Sequence, residues 1–519
     1  MTETYPCPYL AQVHRNLPRL LALFDRDPLG PTYGLGDRTY WAWKLIDFPN
    51  ATQQGAASGL ARLVASNLLP EGMNERSIIA RIHAIILGSK QATARNGSLA
   101  EALPNEGSFC VTALVAADIL TALEVLGDRL TTDERQDALD VVAPWIAFLH
   151  RQDEGHGIIS NHLAVGVLAL VLWKAQTGVD CDPRARFFLD RILEHQSSEG
   201  WFREYDGADP GYQSWLTSSL VAVHRLRPDW ELGAVLNKGT KFLTHFVHPD
   251  GSYGGIYGSR MTRFCFPAGF EALASEDSSA RAIALALRKG IEANRLVTLD
   301  AIDSHNLVPL FNDYVWAAVE NATSRHSQSD PAQLPSAAKQ VRVYFEQAGI
   351  LIDGGPRHYT VLALLKGGAG LHFKNDILAR ENSGTACCND DMKVLTSQFL
   401  DTDVTVRIEG NSVQINANLR AVDRQLPNAF RFIVLRFLSL TVFHSVVLGN
   451  WVKRLLAALL VTGLPKAHGK VERHLTLGFN FEIIDEISAP VGYKAVDVPT
   501  FRAIHMASQG YWQASDDMT

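Results

Sequence analysis

One pattern recurs in three segments of the chain, HRQDEGHGIISNHLAVG (150–166), HQSSEGWFREYDGADPGYQSW (195–215) and HPDGSYGGIYGSRMTRFCFPAGFEAL (248–273). Each segment has a polar turn that ends in a glycine, then a short aromatic or apolar loop, then the start of a helix. The turn glycines Gly155, Gly200 and Gly251 lie 45 and 51 residues apart. A period of this length is typical of stacked helical hairpins, so the pattern predicts a repeated helical unit.

The segments around these loops are long and apolar on most sides. Residues 110–126, 161–175 and 213–226 are rich in Ala and Leu, and they contain no proline and no glycine other than Gly166. We therefore expect helices that are buried on several sides. Hairpins of this kind that close on themselves form an α/α toroid, in which the loops gather at one end around a cavity.

The character of the chain changes near residue 330. The polar segment 324–339 contains two prolines and predicts a loop or linker, whereas 337–349 fits either one last helix or a first strand. Beyond it, apolar and polar residues alternate at period two in 404–417 and 474–484, and YTVLALLKGG (359–368) predicts a strand buried on both faces. These patterns predict an antiparallel β-sandwich.

We therefore predict an α+β chain of two domains, an N-terminal α/α toroid in residues 1–345 and a C-terminal antiparallel β-sandwich in residues 346–519. The sequence NWVKRLLAALLVTGL predicts a helical insertion near residues 449–463 of the second domain. We expect it to pack against the toroid; the alternative is a helix that lies on a membrane surface or binds a partner.

Composition excludes several classes of protein. The 519 residues carry 48 basic and 55 acidic side chains, a net charge of −7, which argues against a nucleic-acid-binding protein. The six cysteines lack the spacing of a disulfide framework or a zinc site. The apolar stretch 437–452 is too short and interrupted for a transmembrane segment. The N-terminus lacks signal-peptide features, so we expect a cytoplasmic protein, or a periplasmic one if the native N-terminus was trimmed. A homo-oligomer is compatible with the sequence.

Four residues with suitable chemistry fall at the loop end of the predicted toroid. Asn161 and His162 open one helix, Tyr212 lies in the first turn of another, and Arg260 occupies a turn of the third segment. A helix start offers unpaired N–H groups and partial positive charge, which suits a carboxylate ligand. Each residue alone is more commonly structural. Together they predict an amide, an imidazole, a phenol and a cation at one place.

These residues resemble those of the heparinase II/III-like polysaccharide lyases, a family that includes alginate and heparan-type lyases. The resemblance is carried by the Asn-His pair, by GADPGY (207–212) and by a histidine near the start of the sandwich, and it covers most of the chain. It implies that Asn161, His162, Tyr212 and His358 are active-site residues, with His358 reaching from the sandwich into the cleft. The implied substrate partner is an acidic polysaccharide or oligosaccharide.

The chemistry that the resemblance implies is β-elimination at a uronic acid, in which the C5 proton is removed and the C4–O bond breaks. Asn161, helped by Arg260 or a histidine, would neutralise the carboxylate, and oriented donors of this kind are worth about 3 kcal/mol each. His162 and His358 would serve as base or carboxylate partners. Tyr212 would protonate the leaving oxygen, and act as base for one stereochemistry.

No metal or organic cofactor is predicted. Members of the family often hold a metal in the sandwich, but Thr360 stands where a second histidine would be expected on the strand. Further substrate contacts are predicted at Trp41 and Trp43, which could stack on sugar faces, and at Lys44, which could pair with acidic groups. The alternative for the tryptophans is burial in the first helical packing. His305, near a predicted helix start, is expected to line the cleft.

Three other functions remain open. A uronyl C5-epimerase would remove the same proton and return it to the opposite face, without forming the conjugated double bond of an elimination product. A hydrolase would use paired carboxylates such as Asp206 and Asp209. However, Asp209 is better explained as a helix N-cap, and the other turn acids, such as Glu154, as solvated residues. The third alternative is a glycan-binding protein of the same fold without catalytic activity.

Overall fold

The computed structural model describes residues 7–44, 46–101, 107–155, 158–323, 330–422, 428–442, 464–496 and 510–512, and five positions between 443 and 463 (445, 448, 451, 452 and 455). The helices of its first part are α1 (Pro8–Leu21), α2 (Arg38–Trp41), α3 (Ala56–Ala65), α4 (Glu75–Gly88), α5 (Phe109–Leu126), α6 (Thr132–Arg151), α7 (Ser160–Thr177), α8 (Asp182–Glu194), α9 (Pro210–Leu226), α10 (Gly233–Leu243), α11 (Ala268–Leu273), α12 (Ser278–Glu292) and α13 (Leu307–Thr323).

Six of these helices form a closed inner ring. Each of α3, α5, α7, α9, α11 and α13 packs against the next, and α13 returns to pack against α3. Helices α1, α4, α6, α8, α10 and α12 lie outside them. The first and last hairpins are joined by the side chain of Asn312, which accepts a hydrogen bond from the Gly59 amide (3.0 Å) and donates one to the Gly55 carbonyl (2.9 Å). The predicted α/α toroid is therefore confirmed.

Helix α5 shows why the inner helices are apolar all round. It begins at the N-cap Ser108, whose hydroxyl accepts a hydrogen bond from the Val111 amide (3.3 Å), and ends at Gly127, a residue with a positive φ of 51°. By length and composition the stretch Phe109–Arg129 could cross a membrane, but 78% of its apolar window is buried inside the protein. Its neighbours in the ring provide the apolar surroundings that such a sequence needs.

The second part of the chain consists of antiparallel strands, which are β1 (Val341–Phe345), β2 (Ile350–Gly355), β3 (His358–Ala363), β4 (Ala369–Lys374), β5 (Ile377–Asn382), β6 (Ala386–Cys388), β7 (Val394–Thr396), β8 (Thr405–Glu409), β9 (Ser412–Val422), β10 (Ala467–Thr476), β11 (Glu482–Ser488) and β12 (Lys494–Val496). The first sheet has the order β1-β2-β3-β4-β5. The second has the order β11-β10-β9-β7-β6-β12, with β8 paired to β9. Helix α14 (Ala429–Leu440) lies between β9 and β10.

The first sheet lies between the toroid and the second sheet. Ile352 and Val361 point into the core shared with the toroid helices, whereas Leu351 and Leu362 pack against the second sheet. Adjacent residues of one strand thus face two different cores, because side chains alternate across a strand. The predicted sandwich, and the strand buried on both faces from Tyr359, are confirmed.

The structure describes the region of the predicted domain boundary but little of the predicted helical insertion. Residues 337–349, which fitted a helix or a strand, contain strand β1, so the first strand of the sandwich lies wholly within the residues predicted as toroid. Residues 474–484 span a turn between β10 and β11 rather than one strand. The predicted helical insertion near 449–463 lies almost wholly outside the described residues, and helix α14 ahead of it was not predicted.

Candidate active site

A cavity of about 630 Å³ lies at the loop end of the toroid. Its walls come from the N-terminal parts of α5, α7, α9 and α13 and from the loops that precede α3, α5, α11 and α13. Of the predicted residues, His162, Tyr212, Arg260 and His305 line it. Gly510 is the one lining residue that lies outside the toroid in the part of the chain that the structure describes. The structure thus brings an imidazole, a phenol and a guanidinium from three hairpins to one cavity.

Asp209 fixes the positions of Tyr212 and Arg260 relative to each other. It is the N-cap of α9, as expected, and its Oδ1 accepts a hydrogen bond from the Tyr212 amide (3.1 Å). Its Oδ2 accepts a hydrogen bond from the Arg260 amide (2.9 Å), and the Thr262 hydroxyl donates to Oδ1. One buried carboxylate therefore fixes both the helix that carries the phenol and the loop that carries the guanidinium.

The guanidinium of Arg260 lies on the ring of Tyr212. Its central carbon is 3.7 Å from the ring centroid, the geometry of a cation–π contact. Arg260 Nη1 also donates to Glu204 Oε1 at 2.8 Å, and both side chains are buried. Burial raises the pKa of Glu204, and the charge of Arg260 lowers it by less. The Nε atom of Arg260 is buried and has no hydrogen-bond partner within the described residues.

His162 is held by a buried carboxylate. Its Nδ1 lies 2.8 Å from Glu154 Oε2, and Cys110, in the first turn of α5, also contacts the ring. Burial lowers the pKa of His162, but Cys110 and Glu154 raise it more, so the net pKa is well above its usual value. This upward shift favours the imidazolium form of His162. The expectation that Glu154 is a solvated turn residue is wrong, because its side chain is buried against this ring.

An aromatic wall completes the cavity. Trp215 stacks on Phe266 with ring centroids 5.3 Å apart, and Phe264 meets the edge of Tyr212 at 5.6 Å. Such rings are suited to pack on the apolar faces of sugars. Glu154, Glu204, Cys110 and this wall were not predicted. The partners of Glu204 and Cys110 lie in other hairpins, and Glu154 lies in a polar turn that looks solvated in the sequence, so no local motif marks these residues.

Two predicted catalytic residues do not line the cavity. Asn161 is 1% exposed, and neither polar atom of its amide has a hydrogen-bond partner within the described residues. His358 is the first residue of β3, and its Nε2 lies 3.2 Å from Asp353 Oδ2 within the first sheet. The structure therefore places His358 in the sandwich, in contact with its own hairpin rather than with the cavity.

The predicted substrate contacts Trp41, Trp43 and Lys44 do not line the cavity. Trp41 donates its indole N–H to the Leu23 carbonyl (2.8 Å), Trp43 is 67% exposed, and the Lys44 ammonium lies 4.4 Å from the ring centroid of Tyr40. His305 does line the cavity, and Asp303 accepts a hydrogen bond from its amide. Within the described residues, no group of three or more His, Cys, Asp or Glu side chains could hold a metal ion.

Comparison with solved structures shows the fold. The chondroitin AC lyase of Streptomyces coelicolor A3, in complex with chondroitin sulphate, matches with a TM-score of 0.56 and 12% identity over 95% of this chain and 68% of that chain. A tyrosine variant of the same enzyme matches with a TM-score of 0.54, again at 12% identity and the same coverage. No family model matches the sequence, and no curated protein matches it significantly.

The chain therefore has the toroid-plus-sandwich fold found in polysaccharide lyases. Heparinase III also matches, at 11% identity over 94% of this chain and 78% of that chain, but its TM-score of 0.45 is too low to support an argument. The heparinase II/III-like family thus stays a prediction.

Proposed function

We propose that this protein is a lyase that cleaves a uronate-containing glycan by β-elimination in the toroid cavity. One observation carries the proposal. His162, Tyr212 and Arg260, which are far apart in the chain, line a single cavity. The shared fold with a polysaccharide lyase is consistent with it.

In this scheme the substrate carboxylate lies between His162 and Arg260. The C5 proton of a uronate is very weakly acidic while the carboxylate keeps its full negative charge. The imidazolium and the guanidinium offset that charge and stabilise the enolate-like intermediate, an effect of about 3 kcal/mol for each well-placed donor. Because the Glu154 carboxylate at 2.8 Å favours the charged form of His162, we assign this histidine to the substrate carboxylate rather than to the base.

Tyr212 then moves the proton. The positive charge of Arg260 on its ring favours the phenolate, which accepts the C5 proton. The C5–H electrons form the C4=C5 double bond, and the C4–O bond breaks. The phenol gives its proton to the leaving oxygen and is restored as phenolate. Neither Asn161 nor His358 has a step in this scheme.

The test is to incubate the protein with a panel of acidic polysaccharides and to record the ultraviolet absorbance of the conjugated double bond. We expect absorbance with at least one uronate glycan, and loss of turnover in Tyr212→Phe while folding and glycan affinity are retained. Tyr344→Phe, in the sandwich, is the matched control and should be active. Near-normal activity of Tyr212→Phe would refute the scheme, as would inversion at C5 without absorbance.

A further inference from the structure

The loop that carries Arg260 is held from the side of the sandwich. We call residues 255–262 the arginine loop; its ends are joined by the hydrogen bond from the Gly255 amide to the Thr262 carbonyl (2.7 Å). Lys366 follows strand β3 in a short helical turn and is 2% exposed. Its ammonium donates to the carbonyls of Ile256 (2.8 Å) and Gly258 (2.7 Å). Two carbonyls of the arginine loop therefore depend on one side chain from the other domain.

The toroid holds the same loop on its other side. A Cβ atom added to Gly258 would lie 2.6 Å from Asp209 Oδ2, so the loop backbone lies directly against this carboxylate. Asp209 also accepts the hydrogen bond from the Arg260 amide. The arginine loop thus runs between a buried ammonium and a buried carboxylate. Burial lowers the pKa of Lys366 to about 7, and the charge of Asp209 opposes that shift.

Two further contacts join the loop region to the sandwich. Arg263, directly after the arginine loop, forms an ion pair with Glu381 of strand β5. A Cβ atom at Gly255 would lie 3.0 Å from Leu371 Cδ1 of strand β4. The loop is therefore packed against the first sheet at its start and beyond its end, and Lys366 bonds its middle.

From these contacts we infer that Lys366 is a positioning residue, through which the β-sandwich holds the arginine loop so that Arg260 lies on Tyr212. The catalytic part of this inference rests on the proposed function. Its structural part does not, because the two hydrogen bonds and the cation–π contact exist whatever the substrate. Lys366 itself does not line the cavity, so its effect on substrate must pass through Arg260.

The experiment compares Lys366→Met with the unchanged protein. Methionine keeps the unbranched side chain to within one atom of its length and removes the ammonium that makes both hydrogen bonds. We expect faster amide hydrogen exchange in residues 255–262 and at the start of α9, measured by mass spectrometry, with the helical circular dichroism unchanged. With a glycan that is turned over, we expect a fall in kcat of about tenfold or more, since small misplacements of a catalytic group are costly. Lys374→Met is the matched control, because that ammonium lies over Phe479 within the sandwich.

A double-mutant cycle with Arg260→Met separates positioning from general stability. If Lys366 acts through Arg260, Lys366→Met causes no further loss of kcat in the Arg260→Met background. An equal loss in both backgrounds, or unchanged exchange in the arginine loop, would overturn the inference. Lys366→Arg keeps the charge and the donors, so it should restore part of the protection of residues 255–262 from hydrogen exchange. Failure of both Lys366 variants to fold would also count against a positioning role. Absence of turnover in the unchanged protein refutes the proposed function alone, since the exchange measurement still decides the role of Lys366.

Discussion

The protonation state of His162 depends on the groups that surround its ring. Burial would leave a lone histidine neutral, and the carboxylate of Glu154 at 2.8 Å, together with Cys110, reverses that preference. The sequence predicted a titratable imidazole here but not its charge. The charge depends on a buried acid from the loop before α7, which looked like an ordinary turn residue.

Replacement of Glu154 should therefore change the pH dependence of the proposed reaction. In Glu154→Gln the raising contribution of the carboxylate is lost, so the pKa of His162 falls. The imidazolium is then lost at lower pH, and the alkaline limb of the kcat/KM profile moves toward acid. Asp153→Asn, an exposed acid in the same turn, should leave the profile unchanged. An unshifted limb in Glu154→Gln would show that His162 does not carry the needed charge.

Cys110 offers a second test at this scale. It lines the cavity and is partly exposed, whereas Cys388, also partly exposed, lies in strand β6 of the sandwich. We expect a bound glycan to protect Cys110 from iodoacetamide and to leave the alkylation of Cys388 unchanged, as measured by peptide mass spectrometry. Alkylation of Cys110 should in turn prevent glycan binding. Equal alkylation rates with and without a glycan that binds would place the ligand elsewhere.

The positions of single residues were predictable where a local sequence pattern, such as a loop or a helix start, marks them. His162, Tyr212 and Arg260 follow recurring loops and helix starts, so the hairpin period already placed them at one end of the toroid. His358 was expected in the cleft because of its position near the start of the sandwich. The register of β2 and β3 instead puts it beside Asp353. Register and domain docking decide which sandwich residue acts on the site, and neither is readable from spacing.

At the scale of elements, helix α9 depends on its first turn. The cap residue Asp209 accepts three hydrogen bonds, from two backbone amides and one hydroxyl. Its recognition as a cap needed only the Asp-Pro sequence before an apolar run. Its second role, as acceptor for the arginine loop, depends on a residue 51 positions away.

Asp209→Ala should therefore lower the free energy of unfolding by about 1–2 kcal/mol through loss of the cap, and more through the unpaired amide of Arg260. It should also lower activity in the proposed reaction. Thr131→Ala removes the cap of α6, which lies in an exposed capping box, and should cost about 1 kcal/mol without affecting glycan affinity. Denaturant unfolding and glycan binding measure the two effects. Equal effects of the two variants on glycan affinity would contradict a special role for the α9 cap.

Some helices and strands were predicted clearly, some ambiguously and one not at all. Helices α5, α7 and α9 and the alternation that became β8 and β9 were clear, because long apolar segments and period-two alternation are strong signals. Residues 337–349 fitted two structures, and only pairing of β1 with β2 makes them a strand. Helix α14 was not predicted. Its apolar residues, such as Phe430 and Ile433, are exposed in the structure, so the helix lacks the buried apolar face that the prediction of a helix relies on.

At the scale of the whole molecule, two acids sit inside the ring of helices. Asp118 of α5 and Asp313 of α13 line a small inner cavity together with Arg62 of α3. Burial raises the pKa of Asp118 to about 8 and that of Asp313 to about 7. At these two groups the folded chain therefore binds more protons than the unfolded chain, between the usual aspartate pKa and these raised values.

The free energy of unfolding should consequently fall as pH rises from about 4 to about 8 through these two groups. In Asp118→Asn the side chain is neutral at every pH, so this dependence should be weaker. Asp137→Asn, at an exposed site on α6, is the control and should keep the slope of the unchanged protein. Denaturant unfolding at a series of pH values measures the slope of the free energy of unfolding against pH. A slope unaltered by Asp118→Asn would mean that this acid is ionised in the folded chain.

The closure of the inner ring has a consequence for how the chain reaches its native state. Gly59 and Asn312, which meet where the circle is completed, are separated by 253 residues. During synthesis the earliest hairpin must leave one flank uncovered until the last has been made. An open array of repeats can gain or lose a unit at either end, whereas this arrangement has no end to shorten. We therefore expect the nascent chain to be most sensitive to proteases, and most dependent on chaperones, before helix α13 emerges from the ribosome.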